Sequence, residues 1–270
     1  MSRFKPVSML LVLVLLTTLA VSVQTPVPVQ AQAPKLVFGA AVHANPAEDS
    51  FWAVVQKGAQ DAADRFGVTL QFNGNSDPAQ QAQLVETYTA NKVDGIIVSL
   101  ANPDALKDAV TKAVAAGIPV ITINSGVDVY KQFGALTHVG QTELVAGQGA
   151  GERFNTEGAK KVLCVVHEEA NIALEQRCQG LQSTFKGTVE RFSVATTGTR
   201  DAAGTVSAIQ NKLISDISFD AVLTLNPVIA IAARDAIKAA KGTQKLATFD
   251  LSADVLKAIE NGEILFAIDQ

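Results

Sequence analysis

Only two cysteines, Cys164 and Cys178, occur in this 270-residue chain. A small scaffold held together by several disulfides is therefore excluded, and at most one bridge can form within the chain. Histidine is nearly as scarce. His43, His138 and His167 have no second ligand at helical spacing, and the His-Glu-Glu at His167 lacks the partner that an H-E-x-x-H zinc helix needs, so no metal is expected. Phosphate-binding loops are missing as well. The segment after the first apolar strand reads HANPAEDS rather than G-x-G-x-x-G, and neither a P-loop nor a G-x-S-x-G elbow is found. Gly147, Gly149 and Gly151 fall inside a helical stretch and read as small-residue packing positions. The chain is thus expected to carry no cofactor and not to be an enzyme. Positive charge is also short: 22 Lys and Arg face 26 Asp and Glu, which makes nucleic acid a poor partner.

Apolar residues, by contrast, make up 48% of the chain, enough for two modest α/β cores. The first of the apolar runs belongs to a leader. Arg3 and Lys5 precede an uncharged run from Met9 to Val23, followed by Pro-rich sequence with small residues at Val29, Ala31 and Ala33. This is the layout of a secretory signal, with cleavage expected after Ala31 and export to the periplasm as the consequence. The other reading is an uncleaved anchor, but the uncharged run falls short of the roughly 20 residues that span a bilayer. No cysteine near the site offers a lipid anchor. Loss of residues 1–31 removes two cations and no anion, taking the net charge from −4 to −6. In an oxidising compartment Cys164, in a strand, and Cys178, in the helix that follows, are either disulfide-bonded or two buried thiols.

Strands and helices alternate from Leu36 onward. The clearest unit is Val93–Gly126: a β-branched run at Gly95–Val98, a helix at Asp104–Ala116 with Asp104 as cap, then Gly117, Pro119 and a second run to Ile123. It recurs at Phe219–Asp250, and Asp94 and Asp220 are 126 positions apart, as are Asn124 and Asp250. More loosely, 36–126 recurs as 162–252. Alternation with short connections predicts parallel sheets covered by helices, and the repeat predicts two such domains. We expect residues 1–31 as signal peptide, 35–137 as the N-terminal domain, 138–266 as the C-terminal domain, and 267–270 as the start of a further crossing between them. Ligands of doubly wound sheets bind beyond the strand ends. Those positions hold Asp49, Phe51, Trp52, Ser99, Asn102, Asn124 and Ser125 in the first half, and Glu168–Arg177, Asn226 and Asp250 in the second. Carboxylates, amides and a guanidinium beside aromatic faces suit a polyhydroxylated ligand.

The leader, the two βαβ domains, Asp-x-Phe-Trp at Asp49–Trp52, Asn-Ser-Gly at Asn124, Arg-x-x-Gly at Arg177–Gly180 and Phe-Asp at Phe249–Asp250 together resemble the ribose/galactose-type periplasmic binding proteins. The resemblance runs from about Leu36 to Gln270. It implies the type I periplasmic binding fold, two Rossmann-like lobes joined by a hinge that close on a sugar or polyol. It also implies delivery to an ABC permease with its ATPase, with a chemoreceptor as a further partner in a sensing role. Phe51 and Trp52 then match the aromatic pair at the sugar ring, Asn124 a hydroxyl-binding acid, Arg177 a sugar-contacting Arg, Asn226 an amide of the second domain, and Asp250 an acid taking two hydroxyls. Gln270 resembles a Gln at the later crossing. Ser125 stands where many members have Arg, which leaves the sugar's identity open. Members usually continue past this point with elements that complete the first domain. The resemblance thus implies a C-terminally truncated copy whose first sheet has an exposed edge.

Overall fold

Two parallel five-stranded sheets, each built from the alternation read in the sequence, make up the fold. The computed structural model describes residues 35–270, so the leader and its cleavage site lie outside the described residues. The first half runs β1 (Val37–Val42), α1 (Ser50–Phe66), β2 (Thr69–Gly74), α2 (Pro78–Ala90), β3 (Gly95–Val98), α3 (Pro103–Ala115), β4 (Val120–Ile123) and β5 (Thr137–Val139). The second runs α4 (Glu143–Thr156), β6 (Lys161–Val166), α5 (Ile172–Thr184), β7 (Thr188–Ser193), α6 (Ala202–Ser215), β8 (Ala221–Thr224), α7 (Pro227–Ala239), β9 (Lys245–Phe249), α8 (Ala253–Glu260) and β10 (Phe266–Ile268). Strand order is β2-β1-β3-β4-β5 in one sheet and β10-β9-β8-β6-β7 in the other. The α/β, doubly wound character is therefore as the alternation implied.

Each strand divides its side chains between two layers. On β6, Val162, Cys164 and Val166 join the core against α4 and α5, while Leu163 and Val165 join the core against α6, α7 and α8. In the first sheet Ile96, Val98 and Val120 pack on Val85 and Tyr88 of α2 and on Leu106, Ala109, Val110 and Ala113 of α3. A one-residue slip on any of these strands would exchange the two layers, so burial on both faces sets the register.

Three elements escape the sequence reading. β5 and β10 have three residues each, too few to show a period, and α8 is a helix of eight residues. β5 straddles the expected 137/138 boundary, and β10 places Phe266–Ile268 beside β9 in the second sheet, across the expected 266/267 boundary. The cap of α3 is Asn102 rather than Asp104: its Oδ1 accepts the Ala105 N–H at 3.1 Å, and Pro103 fills the first helical position. β5 forms an edge of the first sheet, where Leu136 and Val139 are 70% and 60% exposed.

The helices of the second half approach closely where side chains are absent. A Cβ on Gly147 would lie 2.2 Å from the Arg177 carbonyl oxygen, and one on Gly180 would lie 2.1 Å from that of Leu144. These glycines let α4 and α5 cross with their backbones nearly touching. Gly149, by contrast, faces open space.

Cys164 of β6 and Cys178 of α5 are joined by a disulfide within the same layer, with Cα atoms 6.0 Å apart and a sequence separation of 14. Closing a loop of this length stabilises the fold by about 3 kcal/mol. Thiol titration of the denatured, unreduced protein is expected to find no free thiol, with two appearing after reduction and a fall in unfolding free energy of about 2–4 kcal/mol.

Candidate functional site

The loops after the parallel strands of both sheets meet in one cleft. Helix capping supplies much of its polar lining, because a short polar side chain that starts a helix is fixed at the strand end. Asp49 caps α1 by accepting from the Phe51 and Trp52 N–H groups at 2.9 and 3.2 Å. Its other oxygen accepts from Asn226 Nδ2 at 3.0 Å, across the cleft. Asn226 in turn caps α7 through Oδ1, which accepts the Val228 N–H at 2.7 Å. Asn171 does the same for α5 and donates through Nδ2 to Glu168 at 2.7 Å.

Two strand ends carry a backbone that few side chains tolerate. Asn124 after β4 and Asp250 after β9 have φ of 60° and 64°, the left-handed region in which Asn and Asp are the most favoured residues after Gly. Gln270 links them: Asn124 Nδ2 donates to its Oε1 at 3.3 Å, and its Nε2 donates to Asp250 Oδ1 at 2.8 Å.

Arg177 lies at the bottom, 2% exposed, and so is no solvated charge on a helix face. Its Nε and Nη2 donate to the two oxygens of Glu143 at 2.6 and 3.1 Å, and Nη1 donates to the Leu225 carbonyl at 3.0 Å. Two of the five guanidinium N–H groups remain, one on Nη1 and one on Nη2; Nη1 lies 3.8 Å from Asp250 Oδ2, and the guanidinium carbon sits 4.3 Å from the centre of the Phe249 ring. Trp52 packs on Val42 and Ala44 and meets the Phe51 and His43 rings edge to face at 5.2 and 4.9 Å.

An inner pocket of about 30 Å³ is lined by Asp49, Phe51, Trp52, Asn124, Arg177, Asn226, Asp250 and Gln270, together with His43, His167, Glu168 and Asn171. Of the expected site residues, Asn102 lines only an outer chamber, while Asp49, Phe51, Trp52, Asn124, Arg177, Asn226, Asp250 and Gln270 thus come together in the inner pocket. Ser99 and Ser125 do not line it. Ser99 is buried behind the wall, its Oγ bonded to the His43 backbone N–H and ring at 3.0 and 2.8 Å, and Ser125 Oγ donates to Asn124 Oδ1 at 2.8 Å. Both are oriented as supports for lining residues. The outer chamber, of about 260 Å³, shares His43, Asp49, His167, Glu168 and Asn171 with the inner pocket and adds Glu48, Gln81, Asn102, Glu169 and Arg200 among others.

Glu143, His43 and His167 are the main members that the sequence reading does not place in the site. The two histidines had a readable signal, since each is the first residue after the first strand of its half. Glu143 had none, because only the α4–α5 crossing brings it to Arg177. Among the described residues no three His, Cys, Asp or Glu side chains are grouped to hold a metal ion.

Burial dominates the ionisation of the cleft. It holds the imidazoles of His43 and His167 at about 4, against the favourable charges of Asp49 and Glu168 respectively. It pushes the Asp250 carboxyl up to about 6, against the pull of Arg177 and Gln270.

Two lobes of parallel sheet with a polar and aromatic cleft between their strand ends define a solute-binding protein. The model of the periplasmic binding protein domain matches residues 40–270, and the chain belongs to that family, as a type I member. A carbohydrate transporter from Acidothermus cellulolyticus, solved in complex with myo-inositol, is 42% identical, with 86% of this chain and 79% of that chain covered and a TM-score of 0.82. The ribose import binding protein of Haemophilus influenzae is 24% identical over 228 residues, 83% of this chain and 76% of its own length. The fructose import binding protein of Bifidobacterium longum is 27% identical over 226 residues, 80% and 68% of the respective lengths.

Two outcomes test the electrostatics. Removing one partner of a buried pair strands the other, so Arg177→Met is expected to lower the unfolding free energy by about 3–5 kcal/mol, and Arg177→Met with Glu143→Leu by much less. Urea denaturation of the four members of the cycle measures this. Lowering the pH separates the folded and unfolded histidines: between 6.5 and about 4 the unfolded imidazoles take up protons that the buried ones refuse, so stability falls on acidification. Asp250 contributes in the opposite sense, losing stability as pH rises through about 6, but it is one group against two. Unfolding at stepped pH is expected to show a smaller acid loss in His43→Gln than in the parent.

Proposed function

We propose that this protein reversibly captures a neutral sugar or cyclic polyol in the inner pocket and delivers it, as the periplasmic binding component, to an ABC permease with its ATPase. The observation that carries this reading is the convergence of Asp49, Asn124, Arg177, Asn226, Asp250 and Gln270 from both sheets on one small pocket edged by Phe51 and Trp52. Vicinal hydroxyls each donate one bond and accept others, and this set offers carboxylate and amide oxygens beside N–H donors, with ring faces for the C–H side of a sugar. Relatives named for ribose and fructose, and the structure containing myo-inositol, support the ligand class. Cyclic polyols are placed first because that structure shares the greater identity. These relatives are binding proteins by name, which supports capture without turnover.

Closure follows from the same geometry. The two lobes follow the expected division near 137/138 and 266/267, shifted by the strands at each boundary: β5 keeps Thr137–Val139 with the first lobe and β10 keeps Phe266–Ile268 with the second, which leaves 269–270 at a crossing between them. Asp49 and Asn226 bond directly across the cleft. A ligand replaces such bonds with its own to both lobes, and it favours the closed form only to the extent that it binds that form better. Export by the leader at 1–31 places the protein in the periplasm.

Trp52 is the single tryptophan and lines the pocket, so its fluorescence reads the site. Titration with pentoses, hexoses and inositols, checked by calorimetry, is expected to show saturable binding by at least one of them. Asp250→Asn should weaken that binding by about 10-fold or more through loss of a charged acceptor. Neither heat nor a fluorescence change from any of these ligands would sink the assignment, and turnover of one would favour an enzyme.

A further inference from the structure

We propose that the first turn of α5 is a latch for the closed form, which sets ligand affinity through contacts that touch no ligand; this rests on the function proposed above. Two bonds make the latch. The N–H of Ile172, the first residue of α5, donates to the Ala101 carbonyl oxygen of the other lobe at 2.9 Å. One turn further on, Gln176 Nε2 donates to Asp128 Oδ2 at 2.6 Å, again on the other lobe. Ala101 lies in the loop after β3 and Asp128 in the loop after β4, so one helix turn of the second lobe grips two loops of the first.

The backbone bond has a sequence signature. The first N–H groups of a helix have no partner inside it, and proline, which lacks an N–H, is favoured at the first position. Helices α2, α3 and α7 follow that rule: Pro78, Pro103 and Pro227 each stand directly after an Asp or Asn cap. α5 has the same kind of cap, Asn171, yet Ile172 takes the place of the proline. The N–H that the other three helices lack is the one that reaches Ala101. Ala101 is buried, so water competes little for its carbonyl. The second bond gains from charge, because its acceptor is a carboxylate.

The other side-chain contacts between the lobes are of a different kind. Asp49 and Asn226 line the inner pocket, as do His43 and its neighbours Glu168 and Asn171, so a ligand seated there competes for their bonds. Ile172, Gln176 and Asp128 line neither space, and Ala101 borders only the outer chamber. A sugar in the inner pocket therefore adds its own bonds to the latch instead of replacing it. The apparent dissociation constant is the intrinsic one divided by the populated fraction of the binding-competent form. A contact that raises this fraction tightens every ligand of the pocket by the same factor, whatever the ligand's own bonds.

Substitutions that each remove one bond test this on the full chain. Ile172→Pro deletes the N–H and suits a first helical position after the extended Asn171, whereas Ile172→Ala keeps the N–H and serves as its control. Asp128→Ala removes the second bond without touching α5. Calorimetry with myo-inositol and with ribose is expected to show binding about 3-fold weaker or more in Ile172→Pro and in Asp128→Ala, and parent-like binding in Ile172→Ala. Both sugars should lose the same factor, and stopped-flow Trp52 fluorescence should find the loss in faster release. Small-angle X-ray scattering without sugar should give a larger radius of gyration in the two weakened variants than in the parent. Unchanged affinity in both Ile172→Pro and Asp128→Ala overturns the latch and leaves the sugar function standing, as does a loss that differs between the two sugars or is equal in Ile172→Ala. If neither sugar binds the parent, the function proposed above loses its support and scattering alone decides the latch: a larger radius in the variants supports it and equal radii overturn it.

Discussion

A buried guanidinium held by a buried carboxylate is the constraint on which the cleft depends. Arg177 and Glu143 are 2% and 1% exposed, and neither charge is tolerable there without the other. Their meeting requires α4 and α5 to approach more closely than ordinary side chains allow, which Gly147 and Gly180 permit. The same crossing seals the layer that contains the Cys164–Cys178 bridge. Arg177 is thereby locked by Glu143 and the Leu225 carbonyl, with its Nη1 beside Asp250. A donor fixed in advance loses little freedom when a ligand arrives.

Around that fixed point the duplicated fold supplies the rest twice. Asn102 and Asn226 cap the corresponding helices α3 and α7, each followed by Pro, and Asn124 and Asp250 end corresponding strands in the same left-handed conformation. His43 and His167 follow the first strand of each half. The copies are not used alike. Asn102 borders the outer chamber, whereas Asn226 reaches Asp49 in the inner pocket. Gly180 of α5 lies under α4, while Gly58 of α1, the first helix of the other half, meets nothing within 4 Å. Divergence at matched places turns a symmetric scaffold into a cleft with one orientation for its ligand.

The sheets and most of the site were legible in the sequence because they obey local rules. Continuous β-branched runs mark buried parallel strands, and Asn-Pro or Asp before an apolar helical period marks a helix start. The polar strand-end residues are also capping residues: Asp49 and Asn226, read as strand-end members of the cleft, cap α1 and α7. Ser99 and Ser125 fit the same positional rule, yet they lie one layer behind the lining. Strand-end position tells which loop a residue occupies, not whether its side chain faces the ligand or supports a neighbour.

What the sequence determined by itself is therefore the repeated α/β order, the parallel sheets, and the polar and aromatic chemistry gathered beyond the strand ends. Hydrophobic period and capping are interactions between residues a few positions apart, and they can be read without a structure. Only the tertiary structure decided that Glu143 pairs with Arg177, that Cys164 meets Cys178, that the two histidines stay neutral, and that a large acidic chamber adjoins the small pocket. Each of these depends on the distance and burial of groups far apart in the chain or in different loops, and those quantities exist only once the helices have packed.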